Sequence, residues 1–240
     1  MKTMDQPDTR YLIDKINLHY PLIGFYDTPD ASAHEPLKES KSCLFASFRQ
    51  WEKHGSVVLT KTSYGCGGAG TWLCGVRTRS MENYITFLAD EEGLKANHEL
   101  MREWLEHIKP YEQTHDYLVV GPLVSSAYAY LKTVTFFVNP DQLSILSIGA
   151  QILSRPSDPD PVIAPFGSGC MQLISLFADL DAPQAVIGAT DMAMRKCLPP
   201  HILALTVTKP LFEILCSLGA DSYLEKRFYN EFRDSRKGGF

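Results

Sequence analysis

The sequence predicts a mixed α/β fold: one layered domain, residues 1–240, with helices packed on a mixed sheet. Three observations predict it. Apolar residues switch between a helical and an extended period along the chain. A strand–Pro–helix pattern occurs twice, 70 residues apart. The length of 240 residues, 45% of them hydrophobic, suffices to bury about 70% of the chain's surface without disulfides.

A helical N-terminal segment, 8–20, precedes a core over residues 20–220; its apolar residues lie in 11–18. Cys43, Leu44, Ser47, Phe48 and Trp51 share one face of a second helix, which Gly55 stops before a strand around 57–60. Leu100, Met101, Trp104, Leu105 and Ile108 form the apolar stripe of a helix over 93–108, closed by Pro110, with His98 and His107 off the stripe and solvated. A strand begins near Leu118. The longest apolar stretch, 118–131, is broken by Pro122, Ser125 and Ser126 and falls short of the ~20 residues that span a bilayer.

In the second half, Val134-Thr135-Phe136-Phe137-Val138-Asn139-Pro140 and Ala204-Leu205-Thr206-Val207-Thr208-Lys209-Pro210 each run from a strand into a helix. Proline suits a first helical turn, and Gly149 and Gly219 stand where each helix is expected to stop, so the units read as an internal duplication. The proline-rich segment 154–161 between them is a surface loop. Beyond Phe166-Gly167-Ser168-Gly169-Cys170, the apolar run 171–180 reads as a helix with the thiol in its first turn, and 184–188 as a strand. The last predicted element is a helix over 221–236. Leu224, Phe228 and Phe232, four apart, would seat it on the body or on the partner subunit of a homodimer.

Charge and termini narrow the function. A net charge of −5 with interspersed signs provides no basic face for nucleic acid or for an anionic membrane. The first thirty residues carry charges and prolines where a signal peptide needs an unbroken apolar segment, so the expected location is the cytoplasm. In that reducing compartment six cysteines are thiols: core residues, metal ligands or reactive groups.

The stretch SYGCGGAGTWLCG, residues 63–75, concentrates five glycines and two cysteines. Gly65, Gly67 and Gly70 satisfy G-x-G-x-x-G, with Asp90 and Glu91 downstream. The context rejects a dinucleotide site, because Thr62, Ser63 and Tyr64 separate the strand from the first glycine and Gly75 interrupts the helix that the third glycine would have to open. A thiol reading fits better. Glycines leave the Cys66 sulfur uncrowded and its neighbouring amides free, and Cys170 stands in a similar Gly-Ser-Gly-Cys setting. Cys43 lies one helix upstream of Cys66. Cys216 reads as core, Cys74 and Cys197 are ambiguous, and with no Cys-x-x-Cys pair any metal site must be assembled from distant segments.

Tyr20-Pro21-Leu22-Ile23-Gly24-Phe25-Tyr26, Cys43, the Cys66 loop, Phe137-Val138-Asn139-Pro140, Gly167-Ser168-Gly169-Cys170 and Gly188 through Arg195 occur in an order that resembles the domain of unknown function 169 family over most of residues 20–220. The resemblance implies no established activity, but it implies cysteines at Cys43, Cys66 and Cys170. It also implies a further cysteine within 186–195. Here that segment has none, and Cys197 lies just beyond.

The resulting expectation is an iron–sulfur cluster or another thiolate-bound transition metal on Cys43, Cys66 and Cys170, with Cys197 or an outside molecule as fourth ligand. Gly67, Gly68 and Gly169 would offer amides to cluster sulfur, and Arg195 would balance its charge or hold an anionic ligand. Two other classes stay open. One is a cysteine-dependent enzyme with Cys66 or Cys170 as nucleophile and His54, His115 or His201 as base; the other is a metal-free small-molecule binding domain. The first class stands only if folding gathers thiols more than a hundred positions apart into one pocket.

Overall fold

The computed structural model of the chain describes residues 6–237; the ends of the predicted 1–240 domain, residues 1–5 and 238–240, lie outside them. Eight strands among the described residues form one sheet: β1 (Ile23–Thr28), β2 (Leu37–Glu39), β3 (Ser56–Leu59), β4 (Tyr117–Pro122), β5 (Leu131–Val138), β6 (Val162–Ile163), β7 (Ala185–Gly188) and β8 (Leu203–Thr208). Their order is β2-β3-β4-β1-β5-β8-β7-β6. The sheet is mixed, with parallel pairs at its two edges, β2/β3 and β6/β7, and antiparallel pairs between.

The helices are α1 (Arg10–Ile16), α2 (Phe48–Trp51), α3 (Gly67–Trp72), α4 (Met81–Thr86), α5 (His98–His107), α6 (Pro140–Gln151), α7 (Gly169–Leu173), α8 (Met192–Arg195), α9 (Lys209–Ser217) and α10 (Arg227–Arg236). Among the described residues no helix is long and apolar enough to cross a membrane.

Both faces of the sheet are buried, and successive strand residues alternate between them. Phe25, Val120, Phe137 and Ala204 belong to one core, which Trp51, Leu73, Ile85, Met101, Met171 and Met194 complete from α2 to α5, α7, α8 and their flanks. Their neighbours Tyr26, Val119, Phe136 and Leu205 belong to the other, completed by Leu12, Leu146, Phe212 and Tyr229 from α1, α6, α9 and α10. Two-sided cover leaves β1 buried along its whole length and β5 buried everywhere but at Lys132.

The two strand–Pro–helix units stand side by side. β5 and β8 are antiparallel neighbours, and α6 touches α9 on the same face. Asn139 and Gln142 form a reciprocal capping box at the start of α6, with Pro140 at its first position. Gly149 does not stop that helix, as expected, but lies within it. A Cβ there would come within 2.7 Å of Leu215 on α9, so the residue permits close helix packing.

Other elements are shorter than predicted or turned. The 93–108 helix starts only at its Asn97 cap, whose side chain accepts the Leu100 amide; Leu100 is exposed, and Met101 and Leu105 carry the buried stripe. The 43–51 helix is a tight 3-10 turn, Leu44–Ser47, followed by α2. The 171–180 run leaves the helix after Leu173, where Ser175 takes a left-handed conformation. In α10, Tyr229 is buried and Phe228 is 82% exposed, so the packing stripe is Leu224–Tyr229–Phe232. Cys74 is buried, whereas Cys216 is only half-buried on α9. Segment 154–161 is exposed surface over 154–160.

Buried Asp27, in β1, anchors the loop between α5 and β4. It accepts the hydroxyls of Tyr111 and Thr114 and the amides of Thr114 and His115. Burial opposes ionisation, but these hydrogen bonds, led by Thr114, hold the carboxyl below its usual range. Asp27→Asn is therefore expected to cost about 2–3 kcal/mol at pH 7, read by urea unfolding. A carboxyl depressed in the folded state stabilises above its unfolded value of about 3.9 and loses that contribution as pH falls through the lower folded value. The gap between wild type and variant should accordingly close below about pH 4.

Candidate functional site: a thiol-lined cavity

Four separate segments deliver the cysteines. Cys66 sits in the turn between β3 and α3, where Gly65 adopts φ +78°; a Cβ at Gly65 would lie 2.3 Å from the Ser42 carbonyl oxygen. The Cys66 sulfur accepts the Ala69 amide at 3.5 Å and caps α3. Cys170 is the second residue of α7, buried, with its sulfur 3.4 Å from the Ser168 hydroxyl. Cys43 immediately precedes the 3-10 turn 44–47, and Cys197 lies just after α8.

Helix packing brings these segments together. α7 contacts both α3 and the 44–47 turn. Gly169 makes that approach feasible, since a Cβ there would meet the Phe45 ring at 2.5 Å. A Cβ at Gly68 would stand 3.9 Å from the sulfurs of both Cys66 and Cys170, so these sulfurs lie within twice that distance of one another. Cys43, Cys66, Cys170 and Cys197 all line one cavity of about 360 Å³, bordered also by Gly67, Gly68 and Gly169. Gly67 and Gly169 are held by packing. The Gly67 carbonyl accepts the Tyr84 hydroxyl at 2.8 Å, and a Cβ on Gly67 would crowd the Thr78 hydroxyl at 2.9 Å.

Burial pushes the Cys170 thiol up to about 12, with nearby Cys66 adding to the shift. Burial also raises Cys43, opposed by the Phe45 amide, with Cys66 and Cys197 as further raising influences. Cys43 and Cys170 are therefore neutral thiols at pH 7. Among the described residues no group of three His, Cys, Asp or Glu side chains is arranged to hold a metal ion as the chain stands.

Arg195 does something other than the charge balance expected of it. Its guanidinium donates to the carbonyls of Ile202, Pro199 and Pro200, pinning the turn after α8, and it does not line the cavity. None of His54, His115 and His201 lines it either. His54 occupies a left-handed turn after α2, and His115 faces Asp27.

Much of the wall comes from residues without a sequence motif. Trp72 of α3, Trp104 of α5 and Phe166 form a run of edge-to-face rings, with centroids 6.1 and 4.9 Å apart. Tyr84, Phe87 and Leu88 come from α4 and the π-helical turn Phe87–Glu91 that continues it. The signal for α4 was present: Ser80 caps it by accepting the Asn83 amide, and Tyr84, Ile85 and Leu88 recur at helical spacing. Charged Arg79, Glu92, Asp191 and Lys196 complete the lining.

No curated protein and no solved structure matches the chain. Residues 11–217 match the profile of the domain of unknown function 169 family, described as Uncharacterised ArCR, and the chain belongs to that family.

Proposed function

We propose that this protein binds an iron–sulfur cluster, or a comparable polynuclear thiolate-ligated metal centre, through Cys43, Cys66, Cys170 and Cys197. The observation that carries this reading is the convergence of four thiols from four segments on one cavity. Sulfur donors select soft metals and iron–sulfur clusters. A single tetrahedral zinc with Zn–S bonds of about 2.3 Å would draw its thiolates to about 3.8 Å of each other. No such group is preformed among the described residues. In a four-iron, four-sulfide cluster each thiolate meets a different iron, which spreads the sulfurs apart and suits a cavity of about 360 Å³.

When bound, such a centre supplies electron transfer or a Lewis-acidic iron. The chain's own part is to hold it and keep it dry. The Ala69 amide points at the Cys66 sulfur, and the Ser168 hydroxyl neighbours that of Cys170, where its contact favours thiolate over thiol. Trp72 and Trp104 add apolar surface to the same space. A nucleophilic-cysteine reading is less well supported, because the Cys170 thiol is pushed up to about 12 and among the described residues no histidine lines the cavity.

Anaerobic reconstitution with iron and sulfide is expected to give stoichiometric metal and visible charge-transfer absorption. Cys66→Ser and Cys170→Ser should each lose most of that iron, and Cys216→Ser should keep it. Protein that stays colourless and iron-free overturns the proposal. Gly68→Ala adds a methyl at ordinary contact distance from both sulfurs, so it should fold normally yet load at most about half the iron.

Ligating thiols must give up their protons, and those of Cys43 and Cys170 are held tightly. Metal loading should therefore weaken as pH falls from 8 to 6, measured by iron retained against a chelator. In the metal-free protein at pH 8, iodoacetamide should label Cys170 at least about 100-fold more slowly than in the urea-unfolded chain, read by peptide mass spectrometry.

A further inference from the structure

Two sulfurs in the cavity face one empty point. We infer that Cys66 and Cys170 form a redox modification site, in which a peroxide oxidises Cys66 and Cys170 resolves the product into a reversible disulfide across the cavity. The bond needs only the metal-free thiols. Its consequence for the metal rests on the cluster reading, because a disulfide withdraws two of the four proposed ligands.

Geometry picks this pair out of six thiols. The point that a Cβ on Gly68 would occupy lies 3.9 Å from each of the two sulfurs, and among the described residues nothing else outside the local turn of α3 stands within 4 Å of it. Cys43 and Cys197 line the same cavity but do not reach that point, and Cys74 and Cys216 do not line the cavity. Glycine at position 68 thus leaves open the space into which any side chain would intrude. The two cysteines sit at the starts of α3 and α7, short helices that touch. A sulfur moves about 3 Å when its cysteine passes between staggered χ1 rotamers, so rotations toward the shared point are of the size needed to reach a bond of about 2 Å.

Exposure orders the roles. Cys66 is half-buried and Cys170 is buried, so an entering oxidant meets Cys66 first. The peroxide O–O bond breaks, one oxygen passes to the Cys66 sulfur as sulfenic acid, and the other leaves as water with the Cys66 proton. The Cys170 sulfur then displaces the sulfenic hydroxyl. The S–S bond forms, and the hydroxyl leaves with the Cys170 proton as a second water. Two thiols supply the two electrons that reduce one peroxide to two waters.

The test treats the metal-free full-length protein with hydrogen peroxide, blocks remaining thiols with iodoacetamide and maps peptides by mass spectrometry without reduction. The expected product is an intramolecular crosslink joining the Cys66 and Cys170 peptides, at least about 10-fold above any other pair and reversed by dithiothreitol. Cys170→Ser should raise trapping of the Cys66 sulfenic acid by dimedone at least about 5-fold, and Gly68→Ala should slow the crosslink by a similar factor. No crosslink, a crosslink of either residue to another cysteine, or dimedone trapping indifferent to Cys170→Ser overturns the inference. Iron uptake by untreated samples of the same protein separates the two readings: the crosslink without iron uptake sustains the redox site and refutes the metal centre, and iron uptake without the crosslink does the reverse.

Discussion

The close approach of α7 to α3 and to the turn before α2 is the constraint on which the cavity depends. Cys66 and Cys170 are more than a hundred residues apart in the chain, and only this packing makes them neighbours. Glycines permit it for different reasons. Gly65 supplies a left-handed turn against Ser42, Gly169 lets α7 close on Phe45, and Gly68 leaves space between two sulfurs. The Tyr84 hydroxyl, donating to the Gly67 carbonyl, ties the aromatic wall to the same loop. The glycine-rich stretch thus works mainly as a close-packing device, which accounts for its failure to enter a long helix as a phosphate cradle must.

Division of labour between the two sheet faces comes from the strands. On one face, α6, α9 and α10 lie over Val134, Phe136 and Leu205, and fully burying each such side chain is worth about 1.5–3 kcal/mol. On the other, α5 apart, the cover consists of short helices and turns, and the sheet beneath includes hydroxyls. Thr133 donates to the Leu173 carbonyl of α7, and Thr135 pairs with Thr206 directly across the β5/β8 ladder. Short elements pinned by specific hydrogen bonds leave a gap between them, whereas continuous helices laid along the sheet would fill it.

Burial also sets the chemistry of the gap. Desolvation keeps the Cys170 and Cys43 thiols protonated, and any ligand that took them as thiolates would have to offset the cost of removing those protons. The charged rim, with two cations lacking ion-pair partners among the described residues, is the complementary feature: apolar and sulfur-lined within, charged at its edge. Arg195 is the cationic residue that chain position singles out, yet its guanidinium is consumed by three backbone carbonyls, and Arg79 and Lys196 face the space instead.

Several features were determined by the sequence alone, because their causes are local. The helix starts at Pro140 and Pro210, the strands around 57–60, 118, 134 and 204, and the exposed proline-rich segment all arise from period, proline and solvation of adjacent residues. The choice of Cys43, Cys66 and Cys170 also came from local surroundings and from the family pattern. Only the tertiary structure decided that Cys197 joins them on one cavity, that Trp72, Trp104 and Phe166 form its wall, and that Tyr229 rather than Phe228 faces the body. These outcomes depend on which surfaces meet once the sheet has closed its order from β2 to β6. A residue's neighbours in the chain carry no record of the partner that long-range packing brings against it.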